Sequence, residues 1–199
     1  LTGITPALSS KCYETVFEAL EYSKKSNLPI ILDINYRKPL WPPSVAKQTY
    51  DLMLKYPFIL KMGLDEAETV WQLGFTDIEY AKYFHDFTKG IVLLTRGGNG
   101  AILYDGNTFV EHSGYKVNVV DPIGAGDAFM AGFVGALFKQ INYKNILDIN
   151  TLTHHKELKL SLKIANACGA LTCTARGDTV SMPSMDEAMG IIRQNKIFP

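Results

Sequence analysis

The stretch VVDPIGAGDAFMAGF, residues 119–133, sets Gly124, Ala125, Gly126 and the carboxylate of Asp127 between a proline turn and an apolar run. Where a loop passes into a helix, the first backbone N–H groups lack intrahelical partners, so small residues at that point expose donors that attract an anion. A pocket for a bare phosphate would ordinarily exclude a carboxylate. The combination fits a transfer instead: the amides neutralise charge on a moving phosphoryl group, and Asp127 accepts a proton from the attacking hydroxyl. The plainer alternative is that Asp127 is a helix-start residue, favoured in any first turn, and that the glycines only permit close packing. The residues of this stretch leave both readings open.

Other candidates are weaker. The run G-x-x-x-x-G-K-[ST] is absent, and Gly124-x-Gly126-x-x-Phe129 lacks the third glycine of the dinucleotide fingerprint. Asn35 and Arg37 come at the carboxyl end of the strand expected at PIILDIN, where ligands of α/β proteins collect. A guanidinium there can give two parallel hydrogen bonds to a planar carboxylate or a phosphate; the alternative is a surface ion pair, with Asp33 as the candidate partner. Asp33 is equally open to a structural role. Trp41, before Pro42-Pro43, either walls a ligand site or packs. Lys61 is within reach of a phosphate, although a lysine at a strand end is usually solvated. His154 and His155 are adjacent and do not share a helix face, which argues against a metal pair. Cys12, Cys168 and Cys173 form an odd set without C-x-x-C spacing, as expected of ordinary buried thiols in a reducing compartment.

The elements that must position these groups alternate in type. Helical spacing over Lys11–Ser26 precedes the strand at PIILDIN; SVAKQTYDLML precedes the strand FILKM; and Asp65 stands at an N-cap position before EAETVWQLG. GIVLLTRGGNGAILY, DGN and TFVEH read as a buried strand, a glycine turn and an antiparallel pair. Helices are expected over Ala125–Lys139, Leu158–Cys173 and Asp186–Gln194, with INYKNILDINTLTHHKEL as a polar surface loop. Strand–helix alternation predicts an α/β fold with a mostly parallel sheet, in a single domain over residues 1–199. With 47% hydrophobic and 20% charged residues, the 199-residue chain can bury a sizeable core. Lys+Arg and Asp+Glu balance at 20 each, so no global field draws the chain to nucleic acid or an anionic membrane. No apolar stretch reaches the roughly 18 residues of a membrane helix, and no secretory leader is apparent, so a cytoplasmic protein is expected.

DPIGAGDAFMAGF resembles the C-terminal signature of the ribokinase-like (PfkB) carbohydrate kinases. Thr95-Arg96-Gly97-Gly98-Asn99-Gly100 is similar to that family's T-x-G-x-x-G nucleotide loop, and IANACGALTCTARGD to the helix and loop flanking adenine. LDINYRKPLW is similar to the D-x-N-x-R-x-x-L-W run of the 2-keto-3-deoxygluconate kinases. The resemblance implies a Rossmann-type three-layer αβα sandwich and an ATP-dependent transfer to a sugar hydroxyl. It makes Asp127 the base, Gly124, Ala125 and Gly126 an anion hole, and Thr95, Gly97, Gly100 and Asn166 nucleotide contacts. For Asn166 the alternative is a polar position on a helix. Asn35 and Arg37 would hold a sugar acid, expected to be 2-keto-3-deoxygluconate; fructose is the runner-up, and an inactive nucleotide-binding fragment is a reading of another class.

The resemblance also implies Mg²⁺ arriving with ATP, and it leaves a monovalent cation open. The family commonly carries N-x-x-E after the FILKM strand, its glutamate ordering a magnesium-bound water; here Gly63-Leu64-Asp65-Glu66 keeps the glutamate alone. Glu66 is equally a first-turn helix residue. Neither the family's first glycine-rich sugar signature nor its small β-sheet lid has a counterpart. About the first third of a family member is therefore expected to be missing, with strands that would flank Leu1–Thr5 and a lid through which a full-length parent would form homo-oligomers. Activity of this portion alone is doubtful, because phosphoryl transfer depends on positioning both substrates and excluding water.

Overall fold

A computed structural model of the chain describes residues 1–140 and 155–194. The expected surface loop falls largely outside them, as does His154. In order, the elements are α1 (Ser10–Lys25), β1 (Ile31–Asp33), α2 (Pro43–Met53), β2 (Ile59–Gly63), α3 (Leu64–Trp71), α4 (Asp77–Thr88), β3 (Ile91–Thr95), β4 (Ala101–Tyr104), β5 (Phe109–His112), α5 (Ala125–Gln140), α6 (His155–Thr172) and α7 (Met185–Arg193). The five strands lie in the order β1-β2-β3-β4-β5. β1, β2 and β3 are parallel, with Asp33 opposite Lys61 and Gly63 opposite Thr95. β4 and β5 pair across the connection Asp105–Thr108, too short for a crossover and so antiparallel. This is the mostly parallel α/β sheet that the alternation predicts. Residues 1–3 extend it beside β1: Asp33 N–H donates to the Leu1 carbonyl at 3.1 Å and Gly3 N–H to that of Asp33 at 2.7 Å.

Helix ends follow their sequence signals. Ser9 accepts the Cys12 amide at the start of α1, and Lys24 and Lys25 lie in its last turn, where cations suit the helix dipole. Thr76 and Glu79 make a reciprocal box at α4, as Ser184 and Glu187 do at α7. Two readings need correction. Asp65 is not an N-cap: α3 begins at Leu64, and the cap residue Gly63 is held by Glu66 reaching back. α4 escaped the sequence reading although Thr76-Asp77-Ile78-Glu79 carries its signal.

Two compact units divide the chain, Leu1–Arg96 with Ile102–Phe109, and Gly97–Ala101 with Val110–Pro199. Leu20, Leu32, Ile34, Tyr50, Met62, Trp71, Phe84 and Ile102 form the core of the first. Trp41 packs there, edge-on to Tyr50 at 5.4 Å, and its carbonyl accepts the Tyr36 hydroxyl. In the second, Tyr115, Ala128, Ile164, Cys168 and Ile191 cluster among α5, α6 and α7. Cys168 is buried, Cys12 and Cys173 partly so, and all three are free thiols. Among the described residues no helix is long and apolar enough to cross a membrane.

Candidate functional site

In the first unit the carboxyl ends of three parallel strands hold Asp33, Lys61, Gly63 and Thr95. Lys61 is buried, not solvated: its Nζ donates to Asp33 Oδ1 at 3.0 Å and Oδ2 at 2.8 Å, with side-chain exposures of 8% and 12%. Asp33 is thus the structural partner of Lys61, and Arg37 is exposed with no side-chain partner among the described residues. Asn35 adopts φ +44°, a left-handed conformation that asparagine tolerates, and its Nδ2 lies 3.4 Å from Thr2 Oγ1.

Glu66 is occupied internally. Its Oε1 accepts the Tyr36 amide at 2.7 Å and its Oε2 the Gly63 amide at 2.6 Å. Burial raises its pKa above the usual carboxylate value, against the lowering effects of the Gly63 amide and the Lys61 charge. Thr95 ends β3, its hydroxyl 3.4 Å from the Met62 carbonyl oxygen.

The second unit contains the glycine loops. Gly97 (φ +56°) opens a short 3₁₀ turn, Gly97–Asn99, and Gly100 (φ +77°) closes it with its N–H on the Gly97 carbonyl at 3.1 Å. A Cβ at Gly97 would meet open space, so its backbone is approachable from outside; one at Gly100 would collide with the His112 carbonyl and the Gly114 nitrogen.

Gly124 (φ +80°) lies against Asp178, which a Cβ would meet at 3.0 Å. Val120 and Asp121 amides donate to the Cys173 carbonyl at 2.7 and 3.2 Å, tying this loop to the end of α6. Gly169 of α6 approaches the Ala125 carbonyl, where a Cβ would come within 3.1 Å. Asn166, one turn before Gly169, is buried and donates to the Leu162 carbonyl at 2.8 Å, as a polar residue on a helix does.

Of the expected amide donors, Ala125 N–H is turned onto the Pro122 carbonyl at 3.3 Å. Gly124, Gly126 and Asp127 N–H have no acceptor among the described residues, so two of the three expected donors are open and the Asp127 amide adds a third. Asp127 is exposed in the first turn of α5, its carboxylate without a partner among the described residues. Together these groups offer donors for an anion and an acceptor for a proton.

No group of three or more metal-ligating side chains occurs among the described residues. That Lys61 meets Asp33, the first residue of the D-x-N-x-R-x-x-L-W run, was missed because only strand register brings them together, and His112 because it lies in no motif.

Residues 1–185 match the family described as pfkB family carbohydrate kinase. The chain is 30% identical over 199 residues to a probable fructokinase-7 from Arabidopsis thaliana, covering 98% of this chain and 55% of that protein. It is 28% identical over 193 residues to a 2-dehydro-3-deoxygalactonokinase from Haloferax volcanii, covering 96% and 56%. A fructokinase from Xylella fastidiosa, solved with bound ATP, shares the fold with a TM-score of 0.81 at 21% identity, over 96% of this chain and 59% of that one. The chain spans a little over half the length of each of these relatives.

Proposed function

The chain belongs to the pfkB family of carbohydrate kinases, and from that premise we propose that it carries the nucleotide-binding and catalytic-base part of an ATP-dependent sugar kinase. The observation that carries this reading is Asp127: an exposed carboxylate without an internal partner, in the same helical turn as the open amides of Gly126 and Asp127. In the proposed reaction the sugar hydroxyl attacks the terminal phosphorus of ATP, its proton passes to Asp127, and ADP leaves. The open amides stabilise charge on the transferring group. Gly97 and Gly100 bring main chain to the nucleotide, with Thr95 and Asn166 as further contacts. Mg²⁺ bound with ATP supplies charge neutralisation on the phosphates.

A sugar acid such as 2-keto-3-deoxygluconate is the proposed acceptor, because Arg37 keeps an exposed guanidinium free for a planar carboxylate and Asn35 lies two positions before it in the chain. The second reading, fructose, is favoured by the fructokinase name of the Arabidopsis relative. The test is coupled ADP release by the native protein that carries this sequence, with ATP, Mg²⁺ and each sugar. Asp127→Asn should lower kcat by about 10²- to 10⁴-fold, the usual worth of a general base. Turnover unchanged in Asp127→Asn would remove the aspartate from the reaction.

A further inference from the structure

We propose that His112 is a positioning residue for the Gly97–Gly100 loop, its ring clamping the backbone turn against which that loop is seated. This rests on the reading of Gly97–Gly100 as a nucleotide loop. Gly114 N–H donates to His112 Nδ1 at 3.1 Å, closing a two-residue turn with Gly114 at φ +85°. Where their glycines face each other, that turn and the loop approach through main-chain atoms. A Cβ on Gly114 would come within 2.8 Å of the Gly98 carbonyl oxygen and 3.1 Å of the Gly100 nitrogen, and one on Gly100 would collide with His112 and Gly114 backbone atoms. At this close main-chain approach, a shift of Gly114 passes to Gly98 and Gly100.

The ring is poorly explained as a stabilising residue. His112 is 8% exposed and packs 4.8 Å from the Tyr115 ring centroid. Because Nδ1 accepts, the proton sits on Nε2, and this buried N–H has no hydrogen-bond partner among the described residues. Burial and the Lys163 charge push the imidazole pKa down to about 4, so the ring stays neutral and Nδ1 stays an acceptor at ordinary pH. A leucine in its place would exchange one buried unpaired N–H, Nε2, for another, that of Gly114. Global stability then moves little while the clamp is lost.

His112→Leu tests this against His112→Asn, whose Oδ1 falls where Nδ1 was and accepts from the same amide. Three readouts are taken on the native chain: unfolding midpoint, hydrogen exchange of the Gly100 amide, which bonds the Gly97 carbonyl, and calorimetric titration with ADP. The leucine variant should unfold within about 2 °C of wild type yet exchange Gly100 faster and bind ADP about three- to tenfold more weakly, one hydrogen bond's worth of ordering. The asparagine variant should restore both. Wild-type exchange and ADP affinity in the leucine variant would overturn the proposal, as would an asparagine variant no better than leucine. If the native chain takes no ADP while Gly100 exchange still responds to leucine, the nucleotide reading fails and the clamp stands.

Discussion

Replacing Lys61 with methionine keeps the apolar stem and removes the ammonium, which makes it a direct test of the strand-end charge pair. At a solvated strand end, as the sequence suggests, the pair would be worth about 0–1 kcal/mol. The structure puts Lys61 in a strand buried along its whole length, bound to both oxygens of Asp33 at 2.8 and 3.0 Å. Removing one partner leaves the other charge in a poorly hydrated place, at a cost of about 3–5 kcal/mol. For a chain of this size each kcal/mol moves the unfolding midpoint by about 2–4 °C, so Lys61→Met should lower it by about 6–20 °C. Thermal unfolding followed by circular dichroism at pH 7 measures this. The double variant Asp33→Asn, Lys61→Met removes both charges and should recover at least half of the loss, a coupling of about 2 kcal/mol or more in the cycle. A midpoint within about 2 °C of wild type for the single variant, or loss in the double equal to the sum of the singles, would refute the reasoning.

Glu66 gives a prediction in pH. Its folded pKa is raised by burial, so the folded state holds the proton more tightly than the unfolded state; the resulting stabilisation is full below the unfolded value and is lost as pH rises through the folded one. Urea midpoints from pH 4 to 7 should therefore fall for wild type relative to Glu66→Gln, and a constant or rising difference would exclude a raised pKa. Arg37→Ala should leave stability within about 0.5 kcal/mol, since the side chain is exposed and unpaired among the described residues. It should cut kcat/KM for a sugar acid by about tenfold to a hundredfold, as one charge-assisted contact is lost, and spare fructose. Equal loss with both sugars would end the sugar-acid reading.

The strands and most helices were legible because their signals are local: apolar runs of strand length, periodic faces, and caps within four residues of the helices they start. α4 was legible in principle, its Thr76–Glu79 box leading into Tyr80, Ala81 and Phe84 on one buried face. The start of α3 was misread because a side-chain cap was sought at Asp65, whereas Gly63 offers only an amide and Glu66 supplies the acceptor. Asp33 and Lys61 are 28 positions apart and meet only through strand register, which composition does not carry. His112 acts through a turn whose meaning depends on which backbone lies beside it.

Burial and partnership sort the charged groups into those that hold the chain and those left for chemistry. Asp33 and Lys61 satisfy each other, and the two oxygens of Glu66 each take a backbone amide, so these groups are engaged before any ligand arrives. For Glu66 the Gly63 and Tyr36 amides fix the carboxylate's orientation and leave only its other lone pairs open to a ligand. Exposure alone does not mark chemistry, since Glu68 is exposed on α3 as many helix residues are. Asp127 differs in having an ordered frame: the preceding loop is tied to the Cys173 carbonyl, Gly124 is seated on Asp178, and Gly169 admits the Ala125 carbonyl. That frame holds the Asp127 carboxylate near one geometry, which is what the proposed role as a general base requires.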